Sequence, residues 1–376
     1  MMRMKEIKKI FYFGIINWER IKQRPQHLAR ELSKDYEVIY LSPGYSWLDF
    51  ILSKLKLTPK KVKLSFTKKI TKINDNLVVI EPPTRIFNNR IFPLDTLNNL
   101  FLLMFTYKDL KKSDYIWFSY PTQYYIFSRF KGKKIYDIMD DYPQFIKNSP
   151  IKKHIAKLNE KLKNKGDLII CSSEDYKGKS NKEFCIPNAG DENVFSEKNV
   201  SDKDFLKEYR SQIGKRKIIG YIGYIGEWFD KELIYHASKK LEKTHVFVLV
   251  GPIHTSIEKS DNIITTGEVD YNLLPEYIKS FDYCIYPFIK NEITNFVNPV
   301  KIYEYIFMKK KVLAIDTQEI IDKFSKIIKV YHNENDFIQF LKEDFPLKIE
   351  ECSNFKKNNT WKVRAKEIKR LIRNSN

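Results

Sequence analysis

Residues 298–315 read N-P-V-K-I-Y-E-Y-I-F-M-K-K-K-V-L-A-I. They follow an apolar run at 283–289 that ends in a polar loop, 290–295, so the local order is strand, loop, helix, strand. Asn298 suits an N-cap and Pro299 the first helical position, where a missing amide proton costs nothing. Val300, Ile302, Tyr303, Ile306 and Phe307 make one apolar face at helical spacing. Lys301 and Glu304 fall three apart on the other face, where they can point into a cleft. A lysine in a first turn opposes the helix dipole unless an anion sits there. A solvated Lys–Glu pair on an ordinary helix is the plain alternative.

The same alternation extends outward. Strands are expected at 217–225, 245–250, 262–265, 283–287, 312–315 and 327–331, with helices at 231–241, 274–281, 300–309 and 319–326. The first half starts alike, with a strand at 9–16, a helix at 24–35 and a strand at 37–41. Further strands are expected at 77–82, 115–120, 134–139, 168–171 and 184–187, with helices near 93–107 and 151–164. This is the parallel βαβ pattern, met twice. It predicts an α/β chain of two Rossmann-like domains with ligand loops at strand ends and a central cleft. Residues 191–215 are polar and aperiodic and read as the interdomain connection. Residues 360–372 read as a basic helix containing Trp361.

A chain of 376 residues, 43% hydrophobic, can build two such cores. Its formal charge of +20 suits nucleic acid, an anionic membrane surface or negatively charged small substrates. The four cysteines form no C-x-x-C or Cys/His pattern and read as buried free thiols in a reducing compartment. No apolar run approaches the ~18–20 residues of a membrane span. A cytoplasmic protein is expected, with any membrane attachment peripheral. Residues 50–73 interleave Leu, Val and Phe with lysines, as in a membrane-surface segment or an exposed basic strand or loop.

Three constellations carry candidate chemistry. In Y-I-G-Y-I-G-E-W-F-D (221–230), Gly223 and Gly226 either let backbone approach a phosphate or simply make a turn. No acidic residue follows at the spacing that NAD needs. In Y-D-I-M-D-D-Y (136–142), Asp140 and Asp141 sit past a strand's end, as a general base or as the next helix's cap. In W-E-R-I-K-Q-R-P-Q-H (18–27), Trp18, Arg20, Arg24 and His27 could bind an anion or an acceptor, although His27 could equally be a packed helix residue. Hydrolase triads, zinc motifs, Walker loops and nucleic-acid motifs are missing, and no metal site is expected.

These stretches together resemble the GT-B glycosyltransferases, in particular the family-four-like group that includes teichuronic-acid-type polysaccharide enzymes. The resemblance runs in order through W-E-R-I-K-Q-R-P-Q-H-L-A, Y-D-I-M-D-D-Y, C-S-S-E, I-P-N-A-G-D-E-N-V-F and Y-I-G-Y-I-G-E-W-F-D. It continues through F-D-Y-C-I-Y-P-F and N-P-V-K-I-Y-E-Y to N-T-W-K-V-R-A, covering nearly the whole chain. It implies an acceptor domain, 1–190, joined by a returning C-terminal helix, 360–374, and a nucleotide-sugar domain, 191–359. Glu304 would hold the donor ribose, and Asn298, Pro299, Val300 and Lys301 would lie near the diphosphate. Gly14 and Gly223 would flank it, and Thr265 and Gly267 would lie near the base.

The chain also departs from the family's pattern. The partner glutamate eight residues before Glu304 is Phe296, and Tyr224 with E-W-F-D stands where an Arg and a Lys commonly follow the glycine. Lys301 is then the best-placed cation for the diphosphate. Asp140-Asp141 replaces a frequent histidine, which favours an aspartate base and inversion while leaving retention open. The expectation is a metal-independent glycosyltransferase without a cofactor. It would move a sugar from a UDP-type donor to a glycan or lipid-linked acceptor of a surface polysaccharide, at the inner face of an anionic membrane. A sugar-nucleotide epimerase and a basic nucleic-acid-binding protein are the alternatives.

Overall fold

Short, almost wholly apolar runs such as K-I-F-Y-F, E-V-I-Y-L and H-V-F-V-L-V are buried on both faces, as central parallel strands require. The structure is a computed structural model and describes residues 7–19, 22–57, 62–85, 94–127 and 130–375. It divides into two units, Met1–Pro187 with Ala365–Asn376, and Asn188–Arg364.

The first unit runs β1 (Lys9–Phe13), α1 (Arg24–Leu32), β2 (Glu37–Leu41), α2 (Trp47–Lys54), β3 (Lys69–Asn74) and β4 (Leu77–Glu81). It continues α3 (Leu94–Lys111), β5 (Tyr115–Phe118), α4 (Tyr124–Phe127), β6 (Lys133–Ile138), α5 (Ser149–Lys165), β7 (Leu168–Cys171) and β8 (Glu183–Cys185). The sheet order is β3-β4-β2-β1-β5-β6-β7-β8, parallel except where β3 runs against β4. Register builds the core: Tyr12 lies level with Tyr40 on one side and Trp117 on the other, so the three rings stack at 5.5 and 4.8 Å. β3 is an exposed edge with Lys69 and Lys72, which discourages further pairing.

The second unit holds a single helical turn, α6 (Arg210–Ile213), then β9 (Lys217–Ile222), α7 (Lys231–Leu241), β10 (His245–Val250), β11 (Ile263–Gly267), α8 (Leu274–Lys279) and β12 (Tyr283–Tyr286). After these come α9 (Val300–Phe307), β13 (Lys311–Ile315), α10 (Gln318–Phe324), β14 (Lys329–Tyr331), α11 (Glu334–Glu343) and α12 (Ile349–Asn358). The strand order β11-β10-β9-β12-β13-β14 is the doubly wound order of a dinucleotide-type fold. The last helix, α13 (Trp361–Asn374), enters the first unit at Ala365. There Lys369 pairs with Asp35 and donates to the Glu31 carbonyl at 2.8 Å.

The described parts of residues 50–73 are the end of α2 with its turn, a mostly exposed stretch at 62–68 and the edge strand β3, as the reading of an exposed basic strand or loop has it. Two points of the sequence reading need correction. Residues 191–215 are not a connection: Phe195, Leu206 and Ile213 are fully buried in the second unit's core. Helices α11 and α12 were not anticipated, although Asn333 accepts the Asp336 amide as an N-cap for α11.

Candidate functional site

The second sheet changes direction between β9 and β12, so the crevice beyond their carboxyl ends is where an open α/β sheet takes a ligand. β9 is followed by Gly223, whose φ of +126° only glycine adopts without strain. Its amide donates to the Val250 carbonyl at 2.7 Å. Gly251, at φ +141°, lies so close that an added Cβ would fall 2.0 Å from the Gly223 carbonyl oxygen. Two strand ends therefore meet as bare backbone. The Gly251 amide donates in turn to Gly267 at the end of β11. Thr265 is exposed within that strand. Tyr224 turns outward and stacks on His254 with ring centroids 4.7 Å apart.

Helix α9 supplies the polar groups. Its N-cap is Pro299, and no side chain caps its first turn. Asn298 is thus not the expected cap. It is buried and accepts the Asn188 amide at 2.9 Å and the Tyr303 hydroxyl at 3.2 Å, while donating to Glu319 at 2.6 Å. Those bonds fix the position at which the helix starts.

Lys301 rises from the first turn over two rings, with Nζ 5.8 Å from the centroid of Tyr221 and 5.9 Å from that of Phe288. Tyr221 belongs to β9 and Phe288 follows β12, so the ammonium sits over the switch point itself. A Cβ on Gly223 would fall 2.0 Å from Lys301 Cε. The glycine makes room for the lysine. Burial lowers the Lys301 pKa, and Glu304 opposes that shift. Glu304 is only 5% exposed, and burial raises its carboxyl to about 8. Lys301 and a hydrogen bond with Tyr271 pull it down, while Asp191 pushes it up. Burial disfavours charge on both groups, so an anion arriving at Lys301 would favour the cation there.

In the first unit, Gly14 follows β1, donates to the Leu41 carbonyl at 2.9 Å and faces Tyr40, whose ring is 2.2 Å from where a Cβ would stand. Asp140 lies just past β6. Burial raises its pKa to about 7, against Arg24 and with Asp141 adding to the rise. Burial also raises Asp141. Neither caps the next helix, because Asn148 does so through the Ile151 amide.

The basic segment lies differently from expectation. Arg24 is 3% exposed and donates from Nε to both Asp137 oxygens at 3.0 and 3.1 Å and from Nη1 to the Ile186 carbonyl at 2.8 Å. Trp18 packs edge-on against Tyr40, beneath Arg30. His27 is buried, and burial together with Lys22 and Arg30 lowers its pKa to about 3, so it is neutral. Arg20 lies outside the described residues.

The structure therefore brings Gly223, Lys301 and Glu304 together, with Gly267 two strand ends away. Sequence reasoning missed Gly251, Asp191 and Tyr271. Gly251 carried a usable signal, a glycine directly after the run H-V-F-V-L-V.

Two such parallel-sheet units with a C-terminal helix returning to the first define the GT-B fold. A solved structure of sucrose-phosphate synthase from Thermosynechococcus elongatus superposes with a TM-score of 0.70 at 12% identity, over 98% of both chains. A structure of trehalose-6-phosphate from E. coli, bound with UDP-2-fluoro glucose, gives 0.72 at 10% identity over 97% of this chain and 99% of that one. In sequence, the chain is similar to the provisionally named teichuronic acid biosynthesis glycosyltransferase TuaH of Bacillus subtilis (strain 168). The two are 26% identical over 242 residues, 57% of this chain and 58% of that protein. The match thus spans little more than half of that relative. No family model matches the sequence.

Proposed function

We propose that this protein is a glycosyltransferase that binds a UDP-type sugar in its second unit and passes the sugar to a glycan or lipid-linked acceptor. One observation carries the reading: a lysine seated over two aromatic rings at the switch point, against a bare glycine strand end and beside a buried glutamate. The uncapped first turn of α9 points amides toward the same place, where a diphosphate would satisfy both amides and cation. Glu304 receives the ribose hydroxyls, and Thr265 and Gly267 border the base. No metal is required in this scheme, because Lys301 and the helix terminus neutralise the leaving diphosphate.

In transfer, the acceptor oxygen bonds to the anomeric carbon as the carbon–oxygen bond to the diphosphate breaks. Asp140 takes the acceptor's proton, which makes the reaction inverting, and a pKa near 7 suits a base working at neutral pH. The proteins compared above include a synthase and a glycosyltransferase, which favours transfer over the epimerase alternative. A cytoplasmic location, with acceptors delivered at a membrane, accords with this chemistry. The test is a thermal-shift screen of nucleotide sugars, followed by NMR assignment of the product's anomeric configuration. Stabilisation by no nucleotide diphosphate, or epimerisation of the donor without acceptor, would overturn the proposal.

A further inference from the structure

Strands β7 and β8 run parallel at one end of the first sheet, with Ile169 level with Glu183, Ile170 with Phe184 and Cys171 with Cys185. Side chains at level positions leave a sheet on the same face, so these two cysteines stand side by side. Neighbouring strands lie about 4.8 Å apart, inside the roughly 4.4–6.8 Å between Cα atoms that a disulfide spans. Ladder bonds fix the register on both sides of the pair. The Ile169 amide donates to the Lys182 carbonyl at 2.9 Å, and the Ile186 amide to the Cys171 carbonyl at 2.8 Å. The Cys171 thiol points across the gap, donating to the Phe184 carbonyl of β8 at 3.5 Å.

The two thiols differ in access. Cys171 is 1% exposed, whereas Cys185 is half-buried. Contact with Cys185 and burial push the Cys171 thiol well up, and the Arg24 guanidinium only partly opposes them. Cys171 therefore keeps its proton while its neighbour meets solvent, which places one thiol to react and the other to resolve. The remaining cysteines, Cys284 on β12 and Cys352 on α12, are buried in the second unit's core. Strand β8 also has the most to gain from a covalent tie. It is the shortest strand of its sheet, it lies at the edge, and two residues later the chain passes to the second unit.

We propose that Cys171 and Cys185 are an oxidation site, a dithiol that a peroxide-class oxidant closes into a disulfide stapling β8 to β7. The Cys185 sulfur, as thiolate, attacks one oxygen of hydrogen peroxide. The O–O bond breaks, and the departing hydroxide takes up the proton the thiol released, giving water and a sulfenic acid. The Cys171 sulfur then bonds to the Cys185 sulfur as the S–O bond breaks, and its proton departs with the hydroxyl as a second water. Two thiols lose two electrons, which the peroxide gains, and a dithiol reductant reverses the change. The inference stands on the first unit alone and does not depend on the transferase reading.

The test treats the reduced full chain, freed of reductant, with hydrogen peroxide and then alkylates it with N-ethylmaleimide. Alkylation should fall from four thiols to two, and trypsin should yield peptide 166–177 joined to peptide 183–198, a link that dithiothreitol breaks. Cys171 and Cys185 should be consumed at least tenfold faster than the fully buried Cys284 and Cys352. The oxidised chain should melt about 5 °C higher, because roughly fifteen residues of the unfolded chain become a closed loop. In Cys171→Ala, dimedone should trap a sulfenic acid at Cys185; in Cys185→Ser, neither the link nor the rise in melting temperature should appear. Cys185→Ser alters a half-buried thiol, so it carries the test if Cys171→Ala does not fold. Survival of all four thiols in the folded chain, a link between two chains instead of within one, or a melting temperature unmoved by the link would overturn the proposal.

Discussion

Lys301→Met keeps most of the lysine's stem and removes only its charge. In the free protein this should cost little stability, because burial over Tyr221 and Phe288 already disfavours the ammonium. The loss should appear when a diphosphate binds. A hydrogen bond to a charged group contributes about 1.5–3 kcal/mol, a factor of roughly 10–150 in affinity. At a UDP concentration 100 times the wild-type Kd, ligand stabilisation is about 2.7 kcal/mol, and a thirtyfold weaker variant would retain about 0.9. Calorimetric titration with UDP, UMP and uridine separates the charge from the base: UDP affinity should collapse while uridine affinity stays. The sign of the pH dependence is a second check. Because the Lys301 pKa lies below that of a free lysine, wild-type UDP affinity should decline at a lower alkaline pH than a surface lysine would give. That decline should vanish in the variant. Unchanged UDP binding, or equal losses for UDP and uridine, would refute the assignment.

Gly223→Ala should destabilise the protein by about 1–3 kcal/mol through backbone strain and, by displacing Lys301, weaken UDP at least tenfold. Gly214→Ala is the control, since it is also at positive φ but has open space around it; it should show strain on denaturation without loss of affinity. Asp140→Asn should lower kcat by about 10²–10⁴-fold, and wild-type activity should rise with pH through about 7 as the carboxyl ionises. The folded pKa of Asp140 is raised above its ordinary 3.8, so its stabilising contribution is complete below 3.8 and lost as pH climbs to 7. Urea unfolding at pH 5 and pH 8 should therefore show Asp140→Asn gaining on the wild type at pH 8; a constant difference would contradict the burial argument. Arg24→Met should cost about 3–5 kcal/mol by leaving Asp137 buried and unpaired, and adding Asp137→Leu should recover most of it in a double-mutant cycle.

Most of the fold was legible because buried parallel strands are continuous apolar runs, and the runs at 37–41, 168–171 and 245–250 match β2, β7 and β10 residue for residue. The stretch 191–215 was not legible, since Phe195 and Leu206 enter the core from irregular turns and Ile213 from the single helical turn α6, all too short to show a period. At the site, the pairing of Lys301 and Glu304 on one helix is local and could be read from spacing. The aromatic seat of Lys301 could not, because Tyr221 lies 80 residues upstream on another strand. Arg24 shows the same limit in reverse. A cluster of cations after a strand looks like an anion site, and only the fold reveals that Asp137, 113 residues away, already holds it.

The chain's departures from the glycosyltransferase pattern also make physical sense together. The family resemblance implies two glutamates and a basic pair around the donor; in this sequence Phe296 stands in the place of one acid, and Tyr224 with its neighbours in the place of the basic pair. A buried site tolerates charge only when it is balanced. Glu304, already raised to about 8, has Lys301 as the cation that lowers it and Asp191 as the carboxylate that raises it. A second buried acid would raise it further, and a surplus of cations would hold product diphosphate too tightly to release. On the proposed reading, one lysine fixed by two aromatic rings and a glycine would neutralise the leaving group by its position rather than by the number of charges. On this reasoning Gly223, Lys301 and the two rings form one unit, and substituting any one of them should cost donor affinity through the same displaced ammonium.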